Sequence, residues 1–464
     1  MAYFKLTTNK PALSYKCNEI MEFSVQARSN CTDIACRFIK WEIRTDDGKY
    51  ETGFGSCEEG KPLKLTASLS RPGFVRITCT AFNGEYAADS SFDVLEAGAG
   101  AEIEKLTYCD TVPEDFDEYW QDIEKLVENF DCQATMWNDI SYNAKKGFKA
   151  YDVRISTPEG RPASAIVSIP DKEGTFPIKM VFNGYSVEGS RLIMYADDTI
   201  VAFVNAHGIE NDITKTECIL KYTDLSGYGF NETENESNMT TYWRGMMIRD
   251  LIATKYMKTL PQWDKKNLTV SGGSQAALQS TTVAAHDKDV TFLDIYIPWF
   301  CNLAAENNGY MGGWRPKFKE GLRYFDTVAQ ATRVKCPVKM EVRLGDYCCP
   351  PSTTVTLYNA FDCYKHMTVV QSGTHSYVPP EREEFHFVYD PQNPDGQVKK
   401  GKYRHFKGNE YEVIYIGFDS ESCENVVVYK ALYGQNDIWV RPEYMFREKI
   451  FKNGEFISRF EYID

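Results

Sequence analysis

Along the first part of the chain, hydrophobic positions recur at every second residue. Met21, Phe23, Val25 and Ala27 alternate with Glu22, Ser24 and Gln26. Ile39, Trp41 and Ile43 repeat the pattern, as do Leu63, Leu65, Ala67 and Leu69, and then Val75, Ile77, Cys79 and Ala81. A period of two puts one set of side chains on one face of a pleated strand, so each run predicts a half-buried strand. Asp46-Asp47-Gly48 and Asn83-Gly84 supply turn chemistry between them. Short strands at this spacing predict an immunoglobulin-like β-sandwich over residues 1–97. Ala97-Gly98-Ala99-Gly100 then reads as a linker.

Over residues 106–392 the pattern changes. Pro113-Glu114-Asp115-Phe116-Asp117-Glu118-Tyr119-Trp120 opens an amphipathic helix, with proline and acids in the first turn where the helix dipole favours them. Strand candidates Ile178–Phe182, Thr199–Asn205, Leu268–Ser271, Val338–Leu344 and Met367–Gln371 alternate with helical stretches, notably Tyr242–Met257 and Gln275–His286. Such alternation predicts an α/β domain, a parallel sheet with helices on both faces. Asp390-Pro391-Gln392-Asn393-Pro394-Asp395-Gly396 reads as a second linker. Beyond it, Glu410–Ile416 and Asn425–Lys430 predict strands of a small β-rich unit at 400–464.

At 464 residues, two or three domains are expected. The net charge of −14 would repel phosphate backbones, and no long Lys/Arg run offsets it, so nucleic acid is not an expected partner. The most apolar stretch, Val290 to Ala305, is short and contains Asp294, so no membrane span is expected. The 14 cysteines form no CxxC pair, and Met1-Ala2-Tyr3-Phe4-Lys5 does not open a signal peptide. Both point to a reducing, cytoplasmic setting. Aromatic residues reach 14%. Most of such rings pack in cores, and some are suited to line a sugar site.

The chemistry centres on residue 274. Asn267-Leu268-Thr269-Val270-Ser271 is a strand signal, Gly272-Gly273-Ser274-Gln275 follows, and an alanine-rich helix starts at once. This is the strand–turn–helix context of a nucleophile elbow, where a tight turn lifts the serine hydroxyl above the sheet and the helix N-terminus aims N–H groups at the reaction centre. Gly272 occupies the small position before the serine; Ala276 stands where a second glycine is usual. Downstream, Asp346 follows strand Val338–Leu344 and His375 follows strand Met367–Gln371, in the order nucleophile, acid, histidine. Of the six histidines, His375 fits this order best, with His386 a weaker competitor. The backbone N–H of Gln275 and that of Tyr185, in the loop Asn183-Gly184-Tyr185-Ser186, are the candidate oxyanion donors. No HExxH, P-loop or EF-hand pattern appears, so neither a metal nor a cofactor is expected.

Together these residues resemble the acetyl xylan esterase/cephalosporin C deacetylase family, carbohydrate esterase family seven. The resemblance spans roughly 108–390. It rests on Pro113 to Trp120, Tyr242-Trp243-Arg244-Gly245, the Gly272–Gln275 elbow and Gly345-Asp346-Tyr347-Cys348-Cys349-Pro350-Pro351-Ser352-Thr353. It implies an α/β-hydrolase fold, a Ser274–Asp346–His375 triad, an oxyanion hole at Tyr185 and Gln275, and a small acetylated carbohydrate as substrate. Members commonly form hexamers, so a homo-oligomer is expected unless the extra N-terminal sandwich blocks it. The chain departs from the family pattern at Ala206-His207-Gly208, Ala276 and Ser376. The tail from Tyr403 to Pro442 resembles a small bacterial domain of unknown function. Beside this reading stand a same-fold peptidase, an esterase for other acyl groups, and a non-catalytic carbohydrate-binding protein.

Overall fold

A computed structural model describes residues 4–27, 36–58, 60–82, 91–195, 197–420, 424–452 and 455–464. The N-terminal module has seven strands: β1 (Phe4–Thr8), β2 (Met21–Ala27), β3 (Cys36–Thr45), β4 (Tyr50–Cys57), β5 (Leu63–Ala67), β6 (Gly73–Phe82) and β7 (Ser91–Ala101). They form two antiparallel sheets, β1-β2-β5 and β4-β3-β6-β7. Phe23, Val25, Ile39, Ile43, Ile77 and Leu95 fill the core between them. Strand β4 carries no hydrophobic period because it is an exposed edge. The Asn83-Gly84 turn lies outside the described residues.

The expected linker at Ala97–Gly100 is instead strand. It pairs residue by residue with β6, and Ala97, Ala99 and Ala101 are fully buried. Small residues are required there by close approach: a Cβ on Gly98 would overlap the Val75 carbonyl and come within 3.3 Å of the Leu344 carbonyl. The module is therefore packed directly on the next domain.

That domain holds a ten-stranded sheet: β8 (Ala134–Asp139), β9 (Phe148–Ile155), β10 (Ala163–Pro170), β11 (Phe176–Phe182), β12 (Ile200–Asn205), β13 (Trp263–Ser274), β14 (Phe292–Pro298), β15 (Val338–Arg343), β16 (Lys365–Val370) and β17 (Glu384–Tyr389). The order is β17-β16-β15-β14-β13-β11-β12-β10-β9-β8. Pairing is parallel from β12 through β11 to β16, and antiparallel at both margins. Its helices are α1 (Phe116–Asn129), α2 (Lys215–Lys221), α3 (Tyr242–Met257), α4 (Gln275–His286), α5 (Thr327–Ala331) and α6 (Pro351–Ala360).

The longer helices do not flank the sheet on both sides. α1, α3, α4, α5 and α6 touch one another in a row and form a single layer. Burial alternates accordingly on β11 and β13–β16. Ile178, Leu268, Val270, Ile295, Met340 and Met367 are buried under the helices, whereas Lys179, Thr269, Asp294, Tyr296, Glu341 and Thr368 on the opposite face are not. A parallel sheet covered twice would read as continuous apolar runs. The polar alternation here is the mark of a face that the longer helices leave free.

Part of that face is covered by the C-terminal module, built from β18 (Gly401–His405), β19 (Glu410–Phe418), β20 (Asn425–Ala431), β21 (Ile438–Pro442), α7 (Glu443–Arg447), β22 (Lys449–Lys452), β23 (Glu455–Ser458) and β24 (Phe460–Tyr462). Its own small core comprises Tyr403, Val413, Val427, Tyr429, Phe446 and Phe460. The β22–β23 hairpin sets Phe456 4.7 Å from Phe292, and Lys449 pairs with Asp390 at 2.9 Å. Tyr444 on α7 stacks on His386 at 4.0 Å, next to His366.

Burial, with His386 and Lys339 nearby, pushes the His366 pKa from 6.5 down to about 4. Between those values the unfolded chain binds the proton that the folded chain refuses. Stability is therefore complete above 6.5 and is lost as pH falls through the window, by up to about 1.4 kcal/mol per pH unit. The melting temperature should fall more steeply over this range in the wild type than in His366→Gln; parallel slopes would refute the assignment.

Candidate active site

Strand β13 ends at Ser274 and α4 begins at Gln275, leaving no loop between them. Ser274 sits at φ 57° and ψ −125°, a conformation that strains any residue with a side chain by about 1–3 kcal/mol. The neighbours make room for the turn. A Cβ on Gly272 would overlap Ala276, and one on Gly273 would overlap the Tyr296 ring. Ala276 fits where a second glycine is usual because Gly272 faces it with no side chain.

Asp346 lies just past the end of β15 and is 1% exposed. One carboxylate oxygen accepts the N–H groups of Cys348 and Cys349 at 2.8 and 2.9 Å; the other faces His375 Nδ1 at 2.9 Å. His375 stands in the loop between β16 and β17. Arg343 holds that loop, donating to the Thr374 and His375 carbonyls at 3.0 and 3.2 Å while pairing with Glu341 at 2.7 Å. The structure thus joins the acid to the histidine. No hydrogen bond links His375 to Ser274 Oγ in this conformation. Among the described residues, one group of side chains could share a cation: Asp346, Cys348 and His375, with ligand atoms within 4.8 Å of one another. An ion there would compete with the Asp346–His375 hydrogen bond.

Tyr185 and Gln275 are held together by a network that sequence reasoning missed. Gln275 Nε2 donates to the Asn183 carbonyl at 3.2 Å, and Gln275 Oε1 accepts from Tyr228 Oη at 2.7 Å. Tyr228 stacks on Tyr185 at 4.2 Å, and its carbonyl accepts the Tyr185 hydroxyl at 3.0 Å. His207 is fully buried beneath, with Nε2 2.8 Å from the Ser186 carbonyl and Nδ1 2.6 Å from Tyr242 Oη. A carbonyl only accepts, so Nε2 carries the proton and Nδ1 accepts from tyrosine. Burial pushes the His207 pKa down to about 4, which keeps it in this neutral form. The signal in the sequence was Gly227-Tyr228-Gly229: both glycines have positive φ, and a Cβ on Gly229 would overlap Trp243.

Beside the elbow stands an aromatic wall. The Trp299 backbone N–H donates to the Ser274 carbonyl at 3.2 Å. Trp314 stacks on Trp299 at 5.2 Å and meets Tyr185 edge-on at 4.6 Å. Gly272 and Gly273 also border a cavity of about 480 Å³, lined with Asn183, Arg191, Tyr195 and Tyr296. No described helix is long and apolar enough to cross a membrane.

The family model described as acetyl xylan esterase (AXE1) matches residues 100–306 and 317–390. A model for a protein of unknown function, DUF1653, matches 401–462. The chain is 23% identical over 346 residues to acetyl esterase Axe7A of Xylanibacter ruminicola, covering 70% of this chain and 75% of that protein. Two solved structures, acetyl xylan esterase from Paenibacillus sp. R4 and acetyl xylan esterase 1 from Thermoanaerobacterium sp. JW/SL YS485, share the fold. Each has a TM-score of 0.50, with 19% and 21% identity, over 60% of this chain and 94% of theirs. The α/β-hydrolase core, the strained serine at its elbow and the family match over more than half the chain lead to one conclusion: this chain is a carboxylic ester hydrolase belonging to the acetyl xylan esterase family.

Proposed function

We propose that the protein removes acetyl groups from acetylated carbohydrates through an acetyl-enzyme on Ser274. The observation that carries this reading is the Asp346–His375 hydrogen bond at 2.9 Å, formed on the loops downstream of a strained serine elbow. His375 takes the proton of Ser274 as the hydroxyl attacks the acetyl carbonyl. Asp346 fixes the imidazole with Nδ1 protonated, leaving Nε2 as the base, and stabilises the imidazolium that forms. The carbonyl oxygen becomes an oxyanion, met by the N–H groups of Tyr185 and Gln275. The protonated His375 then returns its proton to the departing sugar oxygen. Water, activated by the same histidine, hydrolyses the acetyl-enzyme.

Substrate class follows from the surroundings. Trp314, exposed and edge-on to Tyr185, sets an apolar ring beside the oxyanion donor, which suits an acyl side built for a methyl group. The alcohol side carries exposed rings: Tyr347 and Tyr377 stand near Asp346 and His375. Exposed rings of this kind stack on sugar faces. The test is acetate release from acetylated xylo-oligosaccharides, run beside butyryl, feruloyl and aminoacyl substrates. Fastest turnover of the acetylated sugar is expected. Faster turnover of feruloyl esters or aminoacyl amides would overturn the reading.

A further inference from the structure

We propose that Asp46, contributed by the N-terminal module, is a positioning residue that holds the wall of the acyl site, through Met311 and Ser352, at the width an acetyl group requires. The proposal rests on the esterase reading above. Asp46 belongs to the Asp46-Asp47-Gly48 turn after β3, and as a mere turn residue its side chain should face water. It is instead completely buried. Its carboxylate reaches into the catalytic domain at two places. Oδ1 accepts the Met311 N–H at 2.9 Å and the Ser352 hydroxyl at 3.2 Å, while Oδ2 accepts the Phe74 N–H of its own module at 2.7 Å.

Both grips lead to the reaction centre. Met311 begins the segment Met311-Gly312-Gly313-Trp314, and Trp314 is the ring packed against both Tyr185 and Trp299. Ser352 lies in the first turn of α6, directly after the Asp346–Pro350 loop. The two segments are also tied to each other. The Trp314 N–H donates to the Cys348 carbonyl at 3.1 Å, and a Cβ on Gly313 would come within 2.5 Å of the same carbonyl. Asp46 therefore fastens the loop of the aromatic wall and the loop of the triad acid to one point.

Arg71 strengthens the same joint. It donates to the Asp46 carbonyl at 2.9 Å and to the Asn308 carbonyl at 2.9 Å, and its guanidinium lies 4.0 Å above the Tyr310 ring. Moving the Met311–Trp314 segment outward would draw the Trp314 ring away from Tyr185 and widen the acyl side, which Trp314 borders in the reading above. Small displacements of positioning groups alter catalysis strongly. Specificity for the smallest acyl group thus depends on a residue outside the catalytic domain.

The test uses the full chain and p-nitrophenyl acetate against p-nitrophenyl butyrate. Asp46→Asn keeps the size and replaces one acceptor with a donor. It is expected to raise KM for the acetate about tenfold and to shrink the acetate-over-butyrate preference by a similar factor, with kcat changed less. Val25→Ala, in the sandwich core away from the joint, is expected to lower the melting temperature and leave the preference alone. The proposal is overturned if Asp46→Asn loses stability but keeps the wild-type KM and preference. It is equally overturned if Val25→Ala shifts the preference as much. Should Asp46→Asn fail to fold, Ser352→Ala removes one of the two grips: a smaller shift in the same direction supports the proposal, and an unchanged preference overturns it. A wild-type chain inert toward both esters would overturn the esterase reading, and this one with it.

Discussion

Ser274→Ala is expected to lower kcat on p-nitrophenyl acetate by about 10⁴- to 10⁶-fold while the chain stays folded. The magnitude follows from the division of labour in the site. Without the hydroxyl, no acetyl-enzyme forms, and the histidine and oxyanion donors retain only weak catalysis of direct attack by water. A serine-directed phosphonate should label the wild type at Ser274 and leave the variant unlabelled, as read by mass spectrometry of peptides. The backbone at Ser274 adds a second arm. Its φ of 57° strains any side chain, so Ser274→Gly should be equally inactive yet more stable by about 1 kcal/mol or more. A variant that is inactive but stabilised is hard to explain unless the turn is held in strain for catalysis. Retained turnover in Ser274→Ala would end the serine-esterase account.

The other large effect is expected at Gly98. Gly98→Val should destabilise the chain by about 3 kcal/mol or more in urea denaturation, because the new side chain must enter a space already occupied by two backbone carbonyls. One belongs to Val75 in the neighbouring strand and the other to Leu344, two residues before Asp346. Activity should fall alongside stability, since the shift is delivered to the segment that carries Asp346, the acid of the proposed triad. A flexible connection at residues 97–100 would accept valine with no effect on either measurement, so an unchanged midpoint would refute the packing described.

That position also shows where the sequence was legible and where it was not. Helices α3 and α4 begin and end where the periodicity and the elbow predict, because each is defined by its own residues. Asp346 and His375 were singled out because a fixed order of roles along the chain constrains them, and the structure brings the two side chains together. Ala97–Gly100 misled because small residues mean flexibility in a free segment and close packing in a buried one; only the partner at Leu344 distinguishes the two. The one-sided sheet was visible in the polar alternation at Lys179, Asp294 and Glu341, yet the alternation of strands and helices outweighed it. Asp46 was read as a turn residue because its partners, Met311 and Ser352, lie far along the chain. The side chain of Gln275 was overlooked because only its backbone N–H figures in the motif.

The sheet face left to the C-terminal module has a consequence for how the chain is made. Synthesis is vectorial, and the hairpin and short helix that cover Phe292, His366 and His386 follow every strand of that sheet in the chain. Once Tyr389 completes β17, the stretch from Asp390 to Ser458 has still to be translated, which takes about 3–15 s at typical elongation rates. Throughout that interval the nascent enzyme presents aromatic rings on an uncovered sheet. Completion of this module thus ends a period of exposure to chaperones, proteases and other nascent chains.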